Sequence, residues 1–220
     1  MRFSLSLLLA VMLMSGCRAG QTSLPEPATS SGAHATLRSL GGDPGHIGDG
    51  TPLSPREGHE LAAFAAGCFW GVEDTFRQVP GVVATAVAYT GGHTESPTYE
   101  SVCSHGTGHA EAVVIEFDPK QVSYLTLLNV FWKNHDPTTM NRQGPDVGSQ
   151  YRSAVFTFSK EQATLALGAK EREHVERGEV IVTEITPITK VWKAETYHQQ
   201  YDEKTGTHSC PVPRGLPTHG

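Results

Sequence analysis

The chain has 220 residues, 38% of them apolar and 8% aromatic, which suits one domain whose core needs no disulfide staples. Its formal net charge of −6 leaves no basic excess for a phosphate backbone, which argues against nucleic acid as a partner. Four cysteines, Cys17, Cys68, Cys103 and Cys210, allow three disulfide pairings in an exported protein.

Residues 1–16 read as an export signal: Arg2 gives a positive start, Phe3 to Met14 an apolar core and Ser15-Gly16 a small-residue exit. That core falls short of the ~20 apolar residues that cross a bilayer, so cleavage is expected rather than a retained anchor. Cys17 follows two small residues and resembles the lipidated cysteine of a bacterial lipobox, with Met14 standing where that motif usually has Leu. The expectation is a protein exported to the bacterial cell envelope, in the periplasm, with a lipid tether to a membrane. Residues 17–58 contain runs such as Leu24-Pro25-Glu26-Pro27 and Gly41-Gly42-Asp43-Pro44-Gly45, show no apolar periodicity, and read as a disordered tether.

Residues 59–204 form the expected catalytic domain. Leu61 to Ala66 is a short apolar run fit for a buried strand, ended by Gly67-Cys68. Phe69, Val72, Phe76 and Val79 then recur at helical spacing until Pro80-Gly81. Strands are expected over Val82–Tyr89 and Ala110–Phe117, then a helix through Tyr124, Leu127, Leu128 and Phe131 capped by Ser123. A strand over Tyr151–Phe158, a charged helix over Lys160–Arg177 and a strand over Val180–Thr186 complete the pattern. The order predicts an α+β fold built on a split β-α-β (ferredoxin-like) sheet with packed helices and irregular loops. Residues 205–220 read as a flexible C-terminal tail.

Lipidation of Cys17 leaves three cysteines, an odd number, so at least one thiol is kept for reactivity or burial. Cys68 is the candidate nucleophile, because a strand-to-helix turn sets a sulfur beside unpaired backbone N–H groups that favour the thiolate. Phe69 and Trp70 beside it are either an apolar wall or plain core. Cys103, in Ser101-Val102-Cys103-Ser104, has no charged or helix-terminus context and reads as structural. His93, His105 and His109 lie among glycines without paired Cys-x-x-Cys spacing, so no metal is expected.

The run Gly67-Cys68-Phe69-Trp70-Gly71-Val72-Glu73 resembles the signature of peptide methionine sulfoxide reductases of type A (MsrA). Further blocks follow in that family's order, among them Pro97-Thr98-Tyr99-Glu100, Gly108-His109-Ala110-Glu111, Asp146-Val147-Gly148-Ser149-Gln150-Tyr151 and Tyr197-His198-Gln199-Gln200-Tyr201. The resemblance implies that Cys68 attacks the sulfur of a methionine sulfoxide and that Glu111 supplies the proton. It puts Tyr99 and Tyr151 on the sulfoxide oxygen, Asp146 on a bound water, and Phe69 and Trp70 around the methyl group, with selection of the S epimer. The implied substrates are methionine sulfoxide in proteins or as the free amino acid, and oxidised proteins are thereby repaired.

Attack would leave a sulfenic acid on Cys68, which condenses with a second thiol. Cys210 is the candidate resolver by its place in the Gly- and Pro-rich tail, although Pro211-Val212-Pro213 replaces the family's Gly-rich continuation and no second tail cysteine follows. The implied reductant is thioredoxin or a similar external thiol donor, with no cofactor, and a monomer is expected. Two other readings remain open at this point: a general thiol oxidoreductase, and an exported binding module with a structural Cys68–Cys210 disulfide.

Overall fold

The computed structural model describes residues 40–48 and 53–207, so Cys17, Cys210, the expected export signal and most of the expected tail lie outside them. The apolar run before Cys68 forms strand β1 (Glu60–Ala66), buried on both faces beyond Glu60. Helix α1 (Phe69–Arg77) follows and leads to β2 (Val82–Thr90). Then come α2 (Tyr99–Cys103), β3 (Ala110–Phe117) and α3 (Tyr124–Lys133). A small hairpin, β4 (Arg142–Gln143) and β5 (Asp146–Val147), precedes β6 (Ser153–Thr157) and the long α4 (Lys160–Arg177). Strands β7 (Glu184–Pro187) and β8 (Val191–Lys193) and helix α5 (Tyr201–Thr205) close the described chain.

Six strands make one sheet in the order β7-β6-β1-β3-β2-β8, parallel only between β6 and β7. The central order β6-β1-β3-β2 is the split β-α-β arrangement expected from the element order. Phe64 of β1 anchors the helix-covered face, stacking on Phe76 of α1 at 5.1 Å and on Phe131 of α3 at 5.2 Å. Tyr124, Leu127, Leu128 and Phe131 of α3 are buried as their spacing requires, and the Ser123 hydroxyl accepts from the Thr126 N–H at 3.1 Å. No helix among the described residues is long and apolar enough to cross a membrane.

The sheet's other face carries small residues, including Ala63, Ala65, Ala86, Ala112 and Ala154, and is met by Ile47 and Leu53. Within the stretch expected as a tether over 17–58, Pro44, Gly45 and Ile47 are buried and Leu53 packs against this face. Gly41 bridges β2 through Gly41 N–H to Val83 O at 2.9 Å and Thr85 N–H to Gly41 O at 3.1 Å. Glu116 of β3 is buried and accepts the Gly45 N–H at 3.0 Å, the Arg56 N–H at 2.9 Å and His59 Nδ1 at 3.0 Å. Burial alone would raise its pKa, but these donors and the Arg56 guanidinium outweigh that and hold it below the ordinary value. A buried carboxylate needs such partners, and this segment supplies them largely from its backbone.

Two strand boundaries also differ from expectation. The fourth expected strand starts at Ser153 because Ser149–Tyr151 turns as a 3-10 helix. The fifth starts at Glu184: Val180 is exposed, and the Val182 N–H is taken by Pro137 O at 2.9 Å in a loop.

Candidate active site

Cys68 sits where β1 ends and α1 begins, as the residue before the first helical turn, and is partly exposed. The bend depends on Gly67, whose φ of 100° is ill-suited to a side chain and whose missing Cβ would lie 2.7 Å from Gln143 Cγ. The next residue opens the helix and donates its backbone N–H: Phe69 N to Glu111 Oε2, 3.1 Å. The first amide of the helix therefore holds the Glu111 carboxyl beside the residue that bears the thiol.

Glu111 comes from β3, opposite Tyr89 of β2, and is buried. Burial pushes its pKa up to about 8; the Phe69 N–H works against this, and the charge of Asp146 adds to it. At neutral pH the group is therefore mostly a neutral acid. Tyr99, the first residue of α2, has its hydroxyl pushed up to about 12 by burial, then by its hydrogen bond with Cys103 and by Cys103, Glu111 and Cys68 nearby. Tyr151 is raised too, by burial first and then by Glu111, Tyr99, Cys103 and Asp146. These mutual influences draw Cys68, Glu111, Tyr99, Tyr151 and Asp146 into one cluster contributed by four separate stretches of chain.

Phe69 is buried and packs on Tyr89 and His198, with ring centroids 5.9 Å and 5.1 Å away. Trp70 is partly exposed; its indole stacks on Tyr201 at 3.9 Å and donates Nε1–H to His198 Nδ1 at 3.0 Å. A family model described as peptide methionine sulfoxide reductase matches residues 60–217. The chain belongs to the peptide methionine sulfoxide reductase family. The peptide methionine sulfoxide reductase MsrA of Methanosarcina acetivorans is 62% identical over 157 residues, 70% of this chain and 82% of that one. Among solved structures, Mxr1 from Saccharomyces cerevisiae in reduced form is 36% identical with a TM-score of 0.68, over 71% of this chain and 92% of that one. Mxr1 in complex with Trx2, at 24% identity and a TM-score of 0.50 over 74% of this chain and 93% of that one, shares the fold.

Three residues of this reductase site carry no role in the sequence reading. Cys103, partly buried, shares a hydrogen bond with the Tyr99 hydroxyl. Glu195 accepts the Tyr99 N–H at 2.8 Å and the Tyr89 hydroxyl at 2.9 Å, and His198 receives Trp70. Only His198 had a signal, its place in the Tyr197–Tyr201 block. The histidines of the Gly-rich loops are used structurally: His109 accepts the Gly92 N–H at 3.2 Å, and His105 Nδ1 meets Gln150 Oε1 at 3.1 Å. A groove of about 630 Å³ along β7, lined by Arg152, Phe156, Lys170 and Glu184 among others, includes none of the site residues. Its charges are already engaged, Arg152 with Glu184 and Lys170 with Thr183 O.

Proposed function

We propose that the chain reduces the S epimer of methionine sulfoxide, in proteins and as the free amino acid, with Cys68 as nucleophile and Glu111 as acid. The observation that carries this is the 3.1 Å bond from the Phe69 N–H, which holds a carboxyl with a pKa of about 8 next to Cys68. The Cys68 thiolate attacks the sulfoxide sulfur while Glu111 gives its proton to the oxygen. The S–O bond of the substrate and the transient bond between the two sulfurs then break as the protonated oxygen is transferred to Cys68, leaving a sulfenic acid there and releasing methionine; the substrate sulfur gains two electrons, Cys68 loses two, and Glu111 is left as a carboxylate. Tyr99 and Tyr151, both kept protonated, donate to the oxygen, Asp146 orders a water, and Phe69 and Trp70 receive the methyl group.

A second thiol, assigned to Cys210, then condenses with the sulfenic acid, forming a disulfide and releasing water. A thioredoxin-type dithiol reduces that disulfide, a reading supported by the Trx2 complex of the yeast relative. Thiols carry both electrons throughout, so the cycle needs no bound cofactor. The protein acts as an exported monomer of the cell envelope, held by lipid at Cys17; the mass of the mature N-terminus in wild type and Cys17→Ala tests the anchor.

The deciding experiment is a single turnover, without reductant, on a peptide carrying each sulfoxide epimer. Wild type should convert the S epimer stoichiometrically and Cys68→Ser should convert neither. Conversion of the R epimer, or turnover without Cys68, would overturn the assignment. Peptide mapping of Cys210→Ser after the same turnover tests the resolver: a Cys68 disulfide to another residue removes Cys210 from the cycle.

A further inference from the structure

Three residues on one face of α1 dock the chain's last described segment. Trp70 bonds His198, Glu73 accepts the Gln200 N–H at 2.7 Å, and Arg77 pairs with Glu203 at 2.6 Å. Of these contacts the first has a chemical asymmetry. An indole N–H only donates, so His198 Nδ1 must be the acceptor and carry no proton. In neutral His198 the proton is therefore on Nε2. That atom is buried, has no hydrogen-bond partner among the described residues, and lies 3.9 Å from Glu195 Oε2.

We propose that Glu195 and His198 are a positioning pair for Trp70: the Glu195 carboxylate selects the Nε2–H tautomer of His198, whose Nδ1 then pins the indole. The pair thus deepens, and rests on, the reading of Trp70 as the wall that receives the methyl group. Glu195 is itself fixed, by the Tyr99 N–H and the Tyr89 hydroxyl, so the oxygen-binding Tyr99 and the methyl wall are registered to one carboxylate. Burial would raise the Glu195 pKa, but the Tyr99 N–H and its other partners hold it below the ordinary value, so it is anionic. Burial lowers the His198 pKa and Glu195 opposes that, so the neutral ring persists into mild acid.

The surroundings suit a fixed tautomer. His198 is 1% exposed and is ringed by Tyr197 at 4.1 Å, Tyr99 at 4.7 Å and Phe69 at 5.1 Å. The ionisable groups facing it are Glu195 and Tyr197 from its own segment and Tyr99 from α2; Phe69 and Trp70 of α1 do not titrate. Protonation puts a second N–H on the ring at Nδ1, where it meets the indole donor head-on and breaks the bond. Trp70 then keeps its ring packing, chiefly the stack on Tyr201, without the hydrogen bond that fixes its orientation, and the wall loosens.

The indole ¹⁵N–¹H spectrum of the full chain reads this directly. The Nε1 atoms of Trp132 and Trp192 have no hydrogen-bond partner among the described residues, so the Trp70 signal should stand downfield of theirs. It should move upfield, and theirs should not, as pH falls through the His198 titration. His198→Leu should abolish the downfield position at every pH and raise KM for a sulfoxide peptide about tenfold, the worth of one hydrogen bond, with little change in the single-turnover rate at saturation. His198→Asn, which restores an acceptor near the Nδ1 position, should recover most of that KM and give a Trp70 signal insensitive to pH. A Trp70 signal that survives His198→Leu, or that ignores acid in wild type, overturns the pairing; the wild-type titration holds even if a variant does not fold. Unchanged KM in His198→Leu, with KM raised in Trp70→Ala, overturns the positioning role and leaves the wall reading intact. Unchanged KM in Trp70→Ala overturns the wall reading instead, and with it this role.

Discussion

Two glutamates of one strand, five positions apart on opposite faces of the sheet, show how little burial alone decides. Glu111 and Glu116 are both buried in β3. Glu111 has a single backbone donor and the repulsion of Asp146, and its pKa rises to about 8. Glu116 has two backbone donors, Gly45 and Arg56, together with the His59 ring and the Arg56 guanidinium, and its pKa falls below the ordinary value. The same desolvation thus yields a proton donor on the face toward Cys68 and a permanent anion on the other. What differs is the number of donors each face supplies.

That contrast is most severely tested at Glu111. Glu111→Gln should slow the single-turnover reaction by about 10²–10⁴-fold, the range for loss of a general acid. In wild type the acid form disappears as pH rises through about 8, so the rate should decline across that region and the decline should vanish in the variant. Stability should go the other way. A carboxyl whose folded pKa lies above its unfolded one makes the folded state lose stability as pH rises between the two values, so Glu111→Gln should be the more stable protein in mild alkali by urea titration. A Gln variant that keeps the wild-type rate would dissolve the functional half of the comparison.

At Glu116 the corresponding change should cost stability, not activity. Glu116→Gln leaves an amide NH₂ facing donors and should destabilise by about 2–3 kcal/mol in urea unfolding at neutral pH. Because its folded pKa is depressed, the contribution is present above the unfolded pKa and is lost as pH falls through the folded one, so wild type and variant should converge in acid. Asp146→Asn should sharpen the comparison from the active side: without that charge, Glu111 titrates lower and the alkaline decline moves down by less than about one pH unit. The smallest effect is expected at Arg56, whose guanidinium is 3.7 Å from Glu116 and 44% exposed. Arg56→Gln keeps the backbone N–H and should change stability by less than about 1 kcal/mol.

The contrast also marks where the sequence could be read. The spacing of Phe69, Val72 and Phe76 and of Tyr124, Leu127 and Phe131 signals helices because each buries one stripe, and both helices are present. The family blocks, in order, named the residues that cluster at Cys68. Elements held by a few hydrogen bonds left no such period: α2 is one capped turn, β4 and β5 are two residues each, and β8 is three. The contacts of residues 40–48 and 53–58 leave no sequence signal because Glu116 is satisfied there mainly by the amides of Gly45 and Arg56, and an amide has no residue identity. The partner of Cys103, the Tyr99 hydroxyl, lies one helical turn back on a helix too short to leave a period in the sequence.

Gly67 makes the cysteine bend a bottleneck in sequence space. A methyl group there collides with Gln143, whose amide also bonds Asp136 N at 2.9 Å and Asp136 O at 3.0 Å, so the end of β1 and the β4–β5 hairpin cannot vary independently. Trimming Gln143 to Ala would remove its Cγ but leave its Cβ 2.9 Å from the added methyl, and would leave the left-handed backbone, which costs a non-glycine residue about 1–2 kcal/mol. Gly67→Ala should therefore be rescued only in part by Gln143→Ala. Such sign-dependent epistasis means that routes to new specificity at this site run through the walls of the pocket and bypass the turn that presents the thiol.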